Sequence, residues 1–146
     1  MNIGFVINNI GNSELALDML QSINGIKDNK ISPCVFYQNL VPPVVNPNCL
    51  FMNLSGLSNY SGKLVAMDLE SASIIYKNNQ KSENWLYIWE LEWLSNTVNY
   101  NQCMNILDNF KIVTISDTYK KIISNYSGRD DIIVVKNVGE LLKCLI

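Results

Sequence analysis

The stretch NIGFVINNIGNSELALDML, running from Asn2 to Leu20, decides the fold. Its first six residues, Asn2 to Ile7, are a continuous apolar run of the kind found in a parallel strand buried on both faces. The residues NNIGN then form a turn. Asn12 or Ser13 can cap a helix that follows, because a short polar side chain satisfies the free amides of a first helical turn. The apolar positions of that helix are Leu15, Leu17, Met19, Leu20 and Ile23, and Gly25 lies near its end. A buried strand followed at once by an amphipathic helix is half of a strand–helix–strand crossover.

The rest of the chain repeats the alternation. PCVFYQN (Pro33 to Asn39) reads as a second strand, and Pro42 and Pro43 forbid a helix directly after it. CLFMNL (Cys49 to Leu54) is a third, followed by a loop or short helix in SGLSNYSG. KLVAMDL (Lys63 to Leu69) leads into a helix in ESASIIYKN. WLYIWEL is a fifth strand, and NTVNYNQCMNILDNF a helix capped by Asn96. KIVTISD (Lys111 to Asp117) precedes a helix that Asp117 can cap. DIIVVKN (Asp131 to Asn137) is a seventh strand, and VGELLKCLI closes as a helix. Helix and loop readings compete over residues 40–62. Short connections between alternating elements predict one Rossmann-like α/β domain over residues 1–146, with a mostly parallel sheet and helices on both faces.

Composition narrows the functions such a domain can have. Of the 146 residues, 48% are hydrophobic and 16% charged, which suits a packed core. The net charge is -2 and Arg129 is the only arginine, so broad capture of nucleic acid and bidentate phosphate clamps are disfavoured. There is no histidine, which removes the commonest general base and metal ligand. No metal site is expected. Cys34, Cys49, Cys103 and Cys144 form no C-x-x-C pair. Cys34, Cys49 and Cys144 sit in apolar runs and read as buried free thiols of a reducing cytoplasm. No basic leader precedes the first strand, and no segment reaches the ~20 apolar residues of a membrane span. Neither G-x-G-x-x-G nor a Walker loop is present, so no nucleotide cofactor is expected.

In an open α/β sheet, ligands bind beyond the carboxyl ends of the strands. The residues falling there are Asn8, Asn9, Gly11 and Asn12 after the first strand, and Asp68, Glu70 and Ser71 after the fourth. Glu90, Glu92 and Trp93 follow the fifth, Ser116 and Asp117 the sixth, and Lys136 and Asn137 the seventh. Amides, hydroxyls and carboxylates in this number suit a sugar or another polyhydroxyl ligand. Ser71 and Asp117 also have a plain alternative role as helix caps.

All three tryptophans fall within WLYIWELEWL, Trp85 to Leu94. Read as a strand, Trp85, Tyr87, Trp89, Leu91 and Trp93 share one face; read as a helix, Trp85, Trp89 and Trp93 stack at i, i+4 and i+8. A strand through about Glu90 fits the aromatic and branched residues better. Beyond it the chain leaves the sheet at the ligand edge, where Trp faces stack on sugar rings and Glu90 or Asp68 can act as a base. Core packing and a protein-docking surface are the alternatives for the same rings.

The order of MNIGFVINNIGNSELALDML, LVAMDLES, YIWELEWL and IVTISDTYKKIISNY before IIVVKNV resembles the N-terminal, acceptor-side domain of GT-B type glycosyltransferases. It is most similar to short glycosyltransferase-like proteins of T4-like phages. An abundance of Asn, Ile and Lys beside a single arginine resembles products of AT-rich genomes. In that family the first domain holds the acceptor and the second grips the nucleotide-sugar donor. The resemblance ends at Ile146, where the donor domain would follow. It therefore implies either a reduced enzyme or a sugar- or acceptor-binding half that need not catalyse on its own, in host cytoplasm, with a sugar or nucleotide-sugar ligand and a homodimer or partner chain to complete the site. Family bases lie on first-domain loops, where Asn9, Asp68, Glu70 and Glu90 stand here. The alternative is a non-catalytic module that docks onto a host or phage protein through its aromatic stretch.

Overall fold

A computed structural model describes residues 1–11, 13–39, 41–43, 45–95 and 100–146. The strands are β1 (Asn2–Asn9), β2 (Ser32–Asn39), β3 (Leu50–Asn53), β4 (Lys63–Ala66), β5 (Glu83–Ile88), β6 (Lys111–Thr114) and β7 (Ile133–Val134). The helices are α1 (Glu14–Asn24), α2 (Leu69–Asn78), α3 (Glu92–Ser95), α4 (Tyr100–Asn109), α5 (Asp117–Ser127) and α6 (Val138–Leu145), with a 3-10 helix over Leu54–Asn59. The strands form one sheet in the order β3-β2-β1-β4-β5-β6-β7, and every pairing is parallel. The chain thus winds outward from β1 to one side, returns past β1, and winds outward again from β4. The seam between β1 and β4 is the switch point of a Rossmann-like sheet.

The continuous apolar runs are buried on both faces, as parallel strands under two helix layers require. Ile3, Phe5 and Ile7 of β1, with Trp85 and Tyr87 of β5, pack with Met19, Leu20 and Ile23 of α1 and Leu141, Leu142 and Leu145 of α6. Val6, Leu86 and Ile88 face the other way, onto Leu57, Ala72, Ile75, Ile106, Leu107 and Ile123. Gly4 has no room for a side chain: a Cβ there would lie 2.8 Å from Leu64 Cδ2 and 3.0 Å from Phe36 Cε2. The return of α6 across the sheet is tied at both ends. Asp18 Oδ2 accepts from the Val138 amide (2.9 Å), and Lys63 Nζ donates to the Leu145 carbonyl (2.5 Å).

Several expectations need correction. The strands are shorter than their apolar runs: β4 stops at Ala66, β6 at Thr114, and β7 is only Ile133–Val134. The caps at the helix starts differ too. Asp68, not Ser71, caps α2, and Ser116, not Asp117, caps α5 by accepting from the Tyr119 amide at 3.2 Å. Cys144 is exposed, because the buried stripe of α6 is Val138, Leu141, Leu142 and Leu145 and position 144 falls opposite it. Cys103 is buried instead, on the stripe of α4 that carries Ile106 and Leu107. The single-face reading of the tryptophans also fails. Trp89 packs on the α1/α6 side with Trp85 and Tyr87, whereas Leu91 and Trp93 join the opposite core. The strand ends at Ile88, so its twofold alternation stops governing the chain there. Asn96 as a cap lies outside the described residues. None of the described helices is long and apolar enough to cross a membrane.

Candidate functional site

Three turns meet at the carboxyl end of the switch point, and each is fixed by its own sequence. After β1, Asn9 Oδ1 accepts from the Gly11 amide (2.8 Å) and the Gly11 carbonyl accepts from the Ser13 amide (2.7 Å). Ser13 Oγ then caps α1 by accepting from the Ala16 amide (3.1 Å). Gly11 is required by close approach, since a Cβ would stand 2.9 Å from Val41 Cγ1. After β4, Asp68 Oδ1 accepts from the Ser71 amide (2.6 Å) and starts α2. After β5, Trp89 and Glu90 turn the chain into α3.

Between these turns lies a cleft of about 420 Å³. The start of α1 supplies Ser13, Glu14 and Leu15, the β4–α2 turn Met67 and Asp68, and the β5–α3 turn Trp89, Glu90 and Glu92. A volume of this size is within the range of small-molecule sites, and its place is where an open α/β sheet is expected to hold a ligand.

Two carboxylates share the amino end of α2. Asp68 caps it, and both oxygens of Glu92 stand 3.2 and 3.3 Å from the Leu69 amide. The positive end of a helix dipole favours both. Even so, burial, and after it the charge of Asp68, push the Glu92 carboxyl up to about 7. Glu92 is thus the group in the cleft best matched to giving or taking a proton near neutrality. Beside the cleft, the Asn8 amide reaches Asp68 Oδ2 (3.4 Å), Asn8 Nδ2 donates to Glu70 Oε2, and Asn39 Nδ2 donates to Asn8 Oδ1 (3.1 Å). This chain of side chains braces β1, β2 and α2 across their carboxyl ends.

Of the residues singled out in the sequence, Asp68, Glu90 and Glu92 come together in the cleft, and Glu70 stands next to it. Asn9 and Gly11 shape the first loop, and Asn12 lies outside the described residues. Trp93 is turned to the other face and stacks on Tyr126, with ring centroids 5.5 Å apart. Ser116 and Asn137 are caps of α5 and α6, and Asp117 opens α5. They lie two and three strands from β4, or about 10 and 15 Å along the edge at the usual strand spacing. None of them lines the cleft. Arg129 is committed to structure, donating to Asp131 Oδ1 (2.7 Å) and to the carbonyls of Phe110 (2.7 Å) and Leu107.

Glu14, Leu15 and Met67 line the cleft without any sequence signal of their own. They matter because β1 and β4 are neighbours, which no local pattern encodes. Among the described residues, no group of three His, Cys, Asp or Glu side chains is placed to hold a metal ion. Comparisons with protein-family models, with curated proteins and with solved structures give no match.

Proposed function

We propose that this chain binds a sugar in the cleft at the β1–β4 switch point, as an acceptor-holding domain of glycosyltransferase type acting in the cytoplasm. The observation that carries the proposal is the lining itself: a tryptophan ring beside carboxylates and a serine hydroxyl, in a cavity of about 420 Å³. Apolar ring faces pack on an aromatic side chain, and carboxylates accept hydrogen bonds from hydroxyl groups. Among the described residues, the lining contains four carboxylates and no lysine or arginine. A nucleotide-sugar diphosphate would meet repulsion there, so the ligand is the acceptor sugar and not the donor. If chemistry occurs, Glu92 is the proton carrier, with Asp68 holding the helix that orients it.

The test is a calorimetric titration of the purified chain with simple glycosides and with nucleotide sugars, repeated for Trp89→Ala. Saturable binding of a glycoside, lost in a variant that keeps its native circular dichroism, is the expected result. Equal binding by Trp89→Ala, or tighter binding of the nucleotide sugar, would remove the proposal.

A second reading rests on a separate surface. Leu94 and Tyr100 are 66% and 58% exposed at the ends of α3 and α4. Protein docking, if it occurs, uses these two and not the tryptophans. Unchanged retention of Leu94→Glu on a partner column would exclude it.

A further inference from the structure

Among the asparagines of this chain, Asn24 alone is followed by glycine. An Asn–Gly pair is the sequence most open to attack on the carboxamide by the next backbone nitrogen, because no Cβ shields that nitrogen. The structure gives this glycine no other task. A glycine that closes a helix ordinarily supplies a positive φ, as Gly128 does after α5 at 74°. Gly25 closes α1 at φ -76° and ψ -10°, a helical conformation open to any residue. A Cβ on it would meet the carbonyls of Ser22 and Gln21 at 3.4 and 3.6 Å, which is ordinary contact.

Asn24 itself is a clasp. It is the last residue of α1, and its carboxamide works in both directions: Nδ2 donates to the Asn46 carbonyl (2.9 Å) and Oδ1 accepts from the Asn48 amide (2.7 Å). These two bonds tie α1 to the segment that enters β3. Val45 and Cys49, on either side of the clasp, are half-buried against the core that α1 covers. The Gly25 amide is engaged as well, donating to the Gln21 carbonyl (3.0 Å). Ring closure therefore waits until the end of the helix frays, which is among the least costly local openings of a fold. The Gly25 nitrogen then bonds to Asn24 Cγ, the carboxamide C–N bond breaks, and ammonia leaves with the proton of the Gly25 amide. Water opens the ring to aspartate or isoaspartate. Either product lacks the Nδ2 donor and adds a negative charge at the negative end of a helix whose last turn holds no basic residue. In the aspartate, that charge faces the Asn46 carbonyl. We propose that Asn24–Gly25 is a one-way modification site, at which loss of ammonia unfastens residues 46–49 from α1.

The experiment ages the purified whole chain at mildly alkaline pH and maps it by peptide mass spectrometry, beside Gly25→Ala and Asn24→Asp. In the parent, Asn24 should convert ahead of every other asparagine. In Gly25→Ala, whose Cβ the helix end accommodates, that conversion should be lost while the melting temperature is kept. Brief alkylation with iodoacetamide then reads the clasp through Cys49. Losing one hydrogen bond makes opening about tenfold easier. Cys49 should therefore label about tenfold faster in Asn24→Asp and in the aged parent, while the buried Cys34 and Cys103 stay protected. The aged parent carries this measurement even where Asn24→Asp does not fold. Conversion of another asparagine before Asn24, none at Asn24, or undiminished conversion in Gly25→Ala would overturn the site. Unchanged Cys49 labelling after conversion would overturn the unfastening. So would labelling of Cys34 in step with Cys49, which means general unfolding and not a local release.

Discussion

Replacing Glu92 with glutamine should make the protein more stable above neutral pH, although it deletes a carboxylate at a helix amino end. Glu92 is partly buried beside Asp68, and its carboxyl is raised from 4.5 to about 7, first by burial and then by Asp68. A carboxyl whose folded pKa exceeds its unfolded one holds its proton more tightly in the folded state. Its stabilising effect is complete below 4.5, the unfolded value, and is lost as pH rises through about 7, the folded one. Above that, the fold must carry the buried charge. At 1.36 kcal/mol per pH unit the difference corresponds to a ceiling of about 3 kcal/mol. Water in the open cleft screens it, and roughly 1–2 kcal/mol remains. Glutamine keeps an oxygen for the Leu69 amide and carries no charge, so it imitates the protonated acid. Urea unfolding of both proteins, followed by far-ultraviolet circular dichroism across the pH range, reads the difference directly. The two should coincide near pH 4, part between 4.5 and about 7, and differ by a constant roughly 1–2 kcal/mol above that. In melting temperature this is roughly 2–6 °C for a chain of this size. A difference independent of pH would refute the reasoning. So would a variant less stable than the parent at pH 8, which would mean that the charge on the α2 dipole outweighs its burial.

Two further predictions concern the fold. Asn79 is 2% exposed and its side chain makes four hydrogen bonds, donating to the Leu57 and Tyr60 carbonyls and accepting from the Lys81 and Ser82 amides. Asn79→Ala strands these groups and should cost about 3 kcal/mol in chemical denaturation; a loss near zero would mean that the loop re-forms its bonds without it. Trp85 is 5% exposed, donates to Glu83 Oε1 at 2.8 Å, and lies beneath Lys111 and Lys63 at 5.0 and 5.9 Å from its ring centroid. Trp85→Ala should cost roughly 3–5 kcal/mol with ligand binding retained in the folded fraction. Lost binding at native stability would move this ring from the core to a site.

The three tryptophans show where sequence reasoning stops. Within ten residues they do three jobs: Trp85 fills core beneath two lysines, Trp89 lines the cleft, and Trp93 stacks on Tyr126 on the opposite face of the sheet. Twofold alternation described them only while the strand lasted. Past Ile88 the side-chain directions are set by which helices lie on either face, and that is a property of the assembled sheet.

What the sequence determined by itself is local. Short continuous apolar runs such as Ile3 to Ile7, rich in branched residues and bounded by turn formers, suit strands buried on both faces, and the polar residues between runs are where helices start. The α/β class, the positions of the strands and the polar character of the carboxyl edge follow from that. Tertiary structure alone decided the strand order. Parallel pairing of β1 with β4 joins Gly4 to Leu64, sixty positions apart in the chain, and depends on a chain return past β2 that leaves no local signature. That pairing brings Glu14 to Asp68, the pairing of β4 with β5 adds Glu92, and together they make the cleft and leave Ser116, Asp117 and Asn137 outside it. The same holds for Cys144 and Cys103. Hydrophobicity is written in each residue, but which side of a helix meets the sheet is settled only when the layers pack.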